Sequence, residues 1–273
     1  MDSPFSFSEG LVRLAVFLGI FAAMALFEIA APRRHLLHRR GARWFTNFSI
    51  VVLDSLIIRV LFPAAAVGIA VWADENNIGL YPWAVTQGVA PPPWLFGVLV
   101  FIFMDLAIWA QHLVVHKVPV FWRFHKVHHS DPDFDVTPAI RFHPVEIVLS
   151  MLIKAVLIVI LGAPALAIFL FEVVLNGAAM FNHSNVKLPQ WFDALLRKAI
   201  VTPDMHRVHH SIHRREIDSN YGFNFSIWDR IFRTYRAQPE DGHEGMTIGL
   251  KDYQNGEPVR LTWSLWLPFL RKN

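Results

Sequence analysis

Residues 95–116 read LFGVLVFIFMDLAIWAQHLVVH. The run is long and apolar enough to cross roughly 30 Å of hydrocarbon as an α-helix, and it closes on two histidines four residues apart. Residues at i and i+4 share a helix face, so His112 and His116 leave the apolar span pointing the same way. Working outward from it, Leu11–Ala31 is a first span, interrupted only by Arg13 and Glu28 near its ends, and Phe48–Trp72 is a second. Within the second, Asp54 and Arg59 are expected to face protein or each other as a structural pair. The stretch from Ala73 to Pro93, rich in Pro, Gly and Asn with Trp83 and Trp94 suited to an interface, reads as an external loop. Val145–Phe181 is a further apolar run broken at Gly162 and Pro164, which predicts two short helices folding back as a hairpin.

The composition agrees with these spans. Of 273 residues, 54% are hydrophobic and 17% charged, and the mean hydropathy is +0.36, too apolar for a soluble domain of this size. The expected fold is all-α and membrane-integral, with about four transmembrane helices or hairpin segments. The polar remainder, Lys187–Asn273 above all, forms a helical cap against the membrane that carries the histidines. Residues 1–273 read as one domain. Met1–Gly10 holds no Lys or Arg and no small-residue cleavage site follows, so the first span is expected to anchor the chain rather than to be a cleaved signal peptide. Arg33, Arg34, Arg39, Arg40 and Arg43 come directly after it and mark the cytoplasmic side, which puts the N-terminus outside. Counting crossings from there places every histidine group in the cytoplasm. The net charge of +3 gives no reason to expect nucleic acid, and the absence of cysteine leaves nitrogen and oxygen as the ligands for any metal.

Nine histidines fall into four groups: His112 and His116; His125, His128 and His129; His183; and His206, His209 and His210. The pattern HxxHH occurs twice, a coincidence on the order of one in a thousand for a chain of this histidine content. Each copy can aim two or three imidazoles at one point, and six imidazoles in two short runs are costly to desolvate without partners. Taken alone, His183 reads more readily as a hydrogen-bonded core residue and HxxxH as an interfacial pair; the repeated triplet raises both. His35 and His38, among arginines, read as solvated or lipid-headgroup contacts, and His243 as a surface residue. His143 and His213 stand between bracing a ligand and ligating directly. Nine donors exceed what one ion uses, so two metals are implied, with iron, zinc, copper and nickel all compatible with imidazole.

The order His112–His116, His125–His129, His206–His210 between apolar spans resembles the fatty acid hydroxylase and sterol desaturase superfamily, membrane histidine-rich di-iron oxygenases. The segments Arg141–Glu146, Phe181–Asn185, Thr202–His206, Asn220–Gly222 and Trp228–Tyr235 are similar to its recurring segments, and the likeness is strongest over residues 95–236. Asn182 and Asp229 lie within them and join His143 and His213 as residues that brace the ligands or ligate. Where the family often has Gly before the Thr–Tyr ending of the last segment, this chain has Arg233.

The resemblance implies two iron ions held by the nine histidines, O2 as co-substrate, and hydroxylation or desaturation of a C–H bond in a fatty acyl, sterol or related lipid. It also implies an external electron donor such as a ferredoxin or cytochrome, because the chain has no cytochrome domain and no flavin or nicotinamide fingerprint. The basic residues Arg207, Arg214, Arg215 and Arg230 are candidates either for docking an acidic donor or for contacting anionic headgroups. A membrane zinc hydrolase is the rival enzyme, disfavoured by the lack of HExxH. A metal transporter or sensor is the non-enzyme alternative, disfavoured because the histidines gather on one side. A bacterial inner membrane suits the compact form, with the endoplasmic reticulum as the other location.

Overall fold

The computed structural model describes residues 7–270, with side chains from residue 10. The expected outer placement of the extreme N-terminus concerns residues outside that range. Among the described residues the regular structure is helical, and β pairing is limited to isolated bridges. Helix α1 is Phe7–Ala30, α2 Arg40–Leu61, α3 Ala65–Glu75, α4 Leu80–Thr86, α5 Pro93–Lys117, α6 Pro119–His125, α7 Pro144–Leu161 and α8 Ala165–His183. The short cap helices are α9 Gln190–Leu196, α10 Pro203–His209, α11 Arg214–Ile217, α12 Ile227–Ile231, α13 Gly242–Gly245 and α14 Leu261–Trp266. Five stretches are long and apolar enough to cross a bilayer: Gly10–Ala30, Arg40–Thr86, Pro93–Lys117, Pro144–Leu161 and Ala165–His183. The chain is an integral membrane protein.

The hairpin of α7 and α8 forms for the reason its sequence suggests. Pro144 opens α7 where a missing N–H costs nothing, Gly162 ends it at φ 63°, and Pro164 precedes α8. A side chain is excluded at Gly162 on two counts, because a Cβ there would also meet Pro82 Cδ at 2.7 Å and Ile78 O at 2.9 Å. At 18 and 19 residues the two helices are each about 28 Å long, just enough to span.

Three expectations are corrected. Phe48–Trp72 is not one rod: Pro63 breaks it between α2 and α3, where it can neither donate to the ladder nor fit the preceding turn. Asp54 and Arg59 do not pair; Asp54 is buried and Arg59 exposed, as five residues place them on different faces. The loop between the second and third spans contains a helix of its own, α4, capped at Gly79.

The membrane core lies where α3, α5, α7 and α8 meet, around Val67, Met104, Ile108, Met151, Ile158 and Phe171. Helix α1 packs on α8 through Phe21, Ala179 and Met180, with Trp44 edge-on to Phe21 at 5.5 Å. The cytoplasm-expected ends of α1 and α8 are laced together: Arg33 N donates to Asn185 O, Lys187 N to Ala31 O, and Asn185 N to the buried Glu28 carboxylate at 2.8 Å. That level is where α5 delivers His112 and His116 and α8 delivers His183. Below it the cap is held by buried ion pairs. Arg43 binds Asp131 at 2.6 Å and Asp135 at 2.8 Å, so this arginine is an internal strut rather than a surface charge. Arg141, also fully buried, donates to Val127 O, Asn47 Oδ1, Ser130 Oγ, Pro258 O and Ser264 Oγ. Through Val127 and Ser130 it fixes the first histidine triplet against α2 and the chain's last segment.

Candidate metal centre

All nine histidines converge and all are buried. They sort into two groups, His112, His116, His125, His129 and His209 in one and His128, His183, His206 and His210 in the other. Within each group one ring nitrogen per residue lies within 4.8 Å of the others. Neither triplet aims at a single point, as the sequence alone allowed. The i and i+4 members, His125 with His129 and His206 with His210, go to one group, and the i+3 members His128 and His209 cross to the other. Consecutive helical residues diverge by about 100°, so each triplet must serve two adjacent positions.

Four of the nine outer nitrogens are tied down, while Nδ1 of His128, His129 and His206 is buried without a hydrogen-bond partner. His112 Nδ1 donates to Tyr221 O at 2.7 Å, His183 Nδ1 to Ala179 O at 2.7 Å, His209 Nδ1 to Ser219 O at 2.6 Å and His125 Nδ1 to Glu146 Oε1 at 2.6 Å. A proton spent on an outward acceptor leaves Nε2 as a bare lone pair turned inward, the form that ligates. These inward nitrogens crowd: His206 and His183 Nε2 are 3.0 Å apart, His183 and His128 3.2 Å, His129 and His116 3.1 Å, His129 and His125 3.2 Å. Ligands about 2.1 Å from a first-row metal stand about 3.0 Å apart in an octahedron and about 3.4 Å in a tetrahedron. The observed spacings fall in that interval. The Nε2 atoms of His112, His209 and His210 are buried without a hydrogen-bond partner. Burial pushes the His209 imidazole down to about 3 and holds His128, His129, His206 and His210 well below the ordinary histidine range, with neighbouring imidazoles reinforcing the effect. The donor set is buried and convergent, with imidazole lone pairs turned inward, and it fits two metal ions.

Aromatic rings enclose the four-histidine group. Phe142 stacks on His128 with centroids 4.4 Å apart, and Phe134 lies 5.7 Å from His183 and 5.1 Å from His210. The five-histidine group instead meets open space: His112 and His125 border a cavity of about 160 Å³ that runs among α5, α7 and α8. Its wall combines Ile108, Val115 and Leu175 with polar Gln111, Ser150, Lys154 and Asn176.

The sequence model of the family described as fatty acid hydroxylase matches residues 97–234, half of the 273-residue chain and every histidine of both groups. The chain belongs to the fatty acid hydroxylase family.

Its curated relatives in this family act on several lipids. Ornithine lipid hydroxylase OlsE of Rhizobium tropici is 26% identical over 232 residues, covering 82% of this chain and 67% of the relative. Alkylglycerol monooxygenase of Homo sapiens is 26% identical over 210 residues, 74% of this chain and 42% of the relative. Cholesterol 25-hydroxylase of Rattus norvegicus is 28% identical over 149 residues, 50% of this chain and 46% of the relative. The chain thus spans two thirds of the first and less than half of the other two. No solved structure matches it.

Of the family segments, Asn182 and Asp229 brace the centre rather than join it. Asn182 Nδ2 donates to Phe223 O at 2.6 Å. Asp229 accepts from Trp109 Nε1, Thr234 Oγ1 and the backbone N–H groups of Tyr221 and Gly222. Both hold the 219–223 loop whose carbonyls orient His112 and His209. His143 and His213 are not part of either group. His143 caps α7, its Nδ1 accepting from Val145 N at 3.2 Å, and His213 is an exposed partner of Asp241 at 2.8 Å. His243 is not on the surface; it is buried 3.5 Å from Asp204, because the cap folds over it. Arg207 is likewise no docking charge, being fully buried and paired with Asp204.

Glu146 was missed. Its signal was the segment Arg141–Glu146, in which the carboxylate one helical turn beyond His143 is the group that bonds His125. Arg233 also gains an explanation. It has φ 59° and follows α12 in a Schellman turn, with Thr234 N bonded to Asp229 O and Arg233 N to Arg230 O. The family's Gly fits this left-handed position, and this chain tolerates Arg there at a small strain.

Proposed function

We propose that the chain is a membrane-bound di-iron oxygenase that hydroxylates a C–H bond of a lipid, using O2 and electrons from an external protein. The observation that carries this reading is the pair of buried, convergent imidazole clusters, one of which borders a cavity between membrane helices through His112 and His125. His112, His116, His125, His129 and His209 would hold one iron, and His128, His183, His206 and His210 the other. The bound irons supply the activation of dioxygen and the oxidation of an unactivated C–H bond, chemistry that no side chain here provides.

The chain's own residues do the rest. Glu146 and the carbonyls of Ala179, Ser219 and Tyr221 hold the outward protons and so keep the inward nitrogens free to ligate. Phe134 and Phe142 keep water from one flank. Ile108, Val115 and Leu175 align an apolar segment of substrate beside His112 and His125, while Gln111, Ser150 and Asn176 offer hydrogen bonds to a polar part of it. The overall reaction joins the lipid C–H, one O2, two electrons and two protons to give the alcohol and one water. The arginine excess after α1 supports a cytoplasm-facing centre in a bacterial inner membrane or the endoplasmic reticulum.

The test is mass spectrometry of membrane lipids from cells with and without the chain. A lipid class gaining about 16 Da, one oxygen atom, is expected. A loss of about 2 Da would replace hydroxylation by desaturation at the same centre, and an unchanged profile alongside two bound irons would argue against a lipid substrate.

A further inference from the structure

The five-histidine group has two accessible sides. On one, His112 and His125 border the cavity among the membrane helices. On the other stands Trp122 of α6, whose ring lies 5.0 Å from His116, 5.5 Å from His129 and 6.1 Å from His125. The same ring lines a recess of about 680 Å³ in the cap. The recess combines apolar Ile212, Ile217 and Leu250 with the exposed cations Arg123, Arg214 and Lys251, against which Asp252 is the one acid among the lining residues. Arg214 shares Asp218 with Lys117, both at 3.0 Å, so the pair of cations there is not neutralised by its single partner. Apolar side chains beside exposed charges of one sign are the anatomy of a protein interface that is steered by electrostatics. A site for lipid headgroups has no need of an aromatic side chain reaching from it to buried histidines.

We propose that this recess docks an acidic one-electron carrier protein and that Trp122 is the bridge from it to the five-histidine group. The inference rests on the oxygenase reading, which requires two electrons per turnover. Two reduced carriers dock in succession, each is oxidised by one electron, and with two protons from water these complete the reduction of O2 to the alcohol oxygen and one water. The cavity and the recess share no lining residue, so lipid and electrons reach the centre by separate routes and neither has to leave for the other to act.

The experiment uses the full chain in neutral nanodiscs, loaded with iron, and a plant-type [2Fe–2S] ferredoxin as the acidic carrier. Arg123 and Lys251 are exposed, and the double variant R123E/K251E reverses both charges. The ferredoxin Kd is expected to rise with salt for the native chain and by about tenfold or more in the double variant at low salt, with iron content and reduction by dithionite unchanged. At saturating ferredoxin, where a change in Kd does not enter, Trp122→Leu is expected to slow reduction at least tenfold, with Trp122→Phe restoring much of the rate and dithionite reducing all forms alike. An unchanged Kd in R123E/K251E overturns the docking site, as does a loss of binding to anionic vesicles in place of ferredoxin. Equal ferredoxin-driven rates in Trp122→Leu overturn the bridge. A native chain that binds no iron would instead sink the oxygenase reading, and metal analysis of the same samples shows which has failed.

Discussion

The two histidine groups are built from the same stretches of chain but differ in what surrounds them. The five-histidine group is braced by a carboxylate and two loop carbonyls, touches the cavity through His112 and His125, and lies against Trp122 through His116 and His129. The four-histidine group is packed between Phe134 and Phe142, and the helical carbonyl of Ala179 braces it through His183. The contrast assigns exchange with the surroundings to the first position and enclosure to the second. It also gives the second position no ligand to spare.

Removing one ligand from each group is the largest perturbation and the sharpest test of that contrast. His210→Ala and His129→Ala are each expected to cut hydroxylation at least about 100-fold. They should differ in metal content, with iron per chain falling from two toward one in His210→Ala and staying nearer two in His129→Ala. Equal iron loss in both would erase the distinction between the groups.

Acid comes next. In the native state burial holds His128, His129, His206 and His210 well below the ordinary histidine range and His209 down to about 3, whereas in the unfolded chain they titrate near 6.5. The native state therefore binds fewer protons. Its stability is fully present above about pH 6.5 and is lost progressively as pH falls from there toward about 3. Iron retention measured after exchange into buffers from pH 7.5 to 5 should decline below about pH 6.5, first at the four-histidine group, and a flat profile would contradict the linkage. Because several imidazoles titrate together, the decline should be steep.

Glu146→Gln keeps the shape and removes the charge behind His125. It is expected to lower iron affinity or turnover about 10- to 100-fold, an effect confined to the five-histidine position. Titration of iron into the stripped protein distinguishes the two positions, and a loss at the enclosed one would be the wrong outcome. The smallest effect lies farthest from both groups. Arg233→Gly should stabilise the chain by about 0.5–1 kcal/mol by relieving a left-handed residue, read as a higher denaturation midpoint with unchanged iron content.

Much of this arrangement was legible beforehand, and the reasons are physical. Each span announced itself by length and polarity, and the α7–α8 hairpin by Gly162 and Pro164. The nine histidines stood out by spacing. What misled was local: Pro63 was absorbed into an apolar run, His243 sat in polar sequence that the cap covers, and Arg207 was read as exposed when Asp204 holds it inside. Glu146 could have been picked out as the carboxylate at the start of a helix that follows the histidines, but only folding shows which ring it faces.

The sequence by itself determined the membrane-helical class, the ligand type and the number of candidate donors, since hydrophobic length and imidazole spacing are properties of short segments. Only the tertiary structure decided that each HxxHH triplet is shared between two groups, that Tyr221, Ser219 and Glu146 set the ring tautomers, and that a cavity and a separate basic recess both adjoin one group. These depend on which distant carbonyls, carboxylates and rings meet across helices, and no spacing along the chain encodes a direction in space.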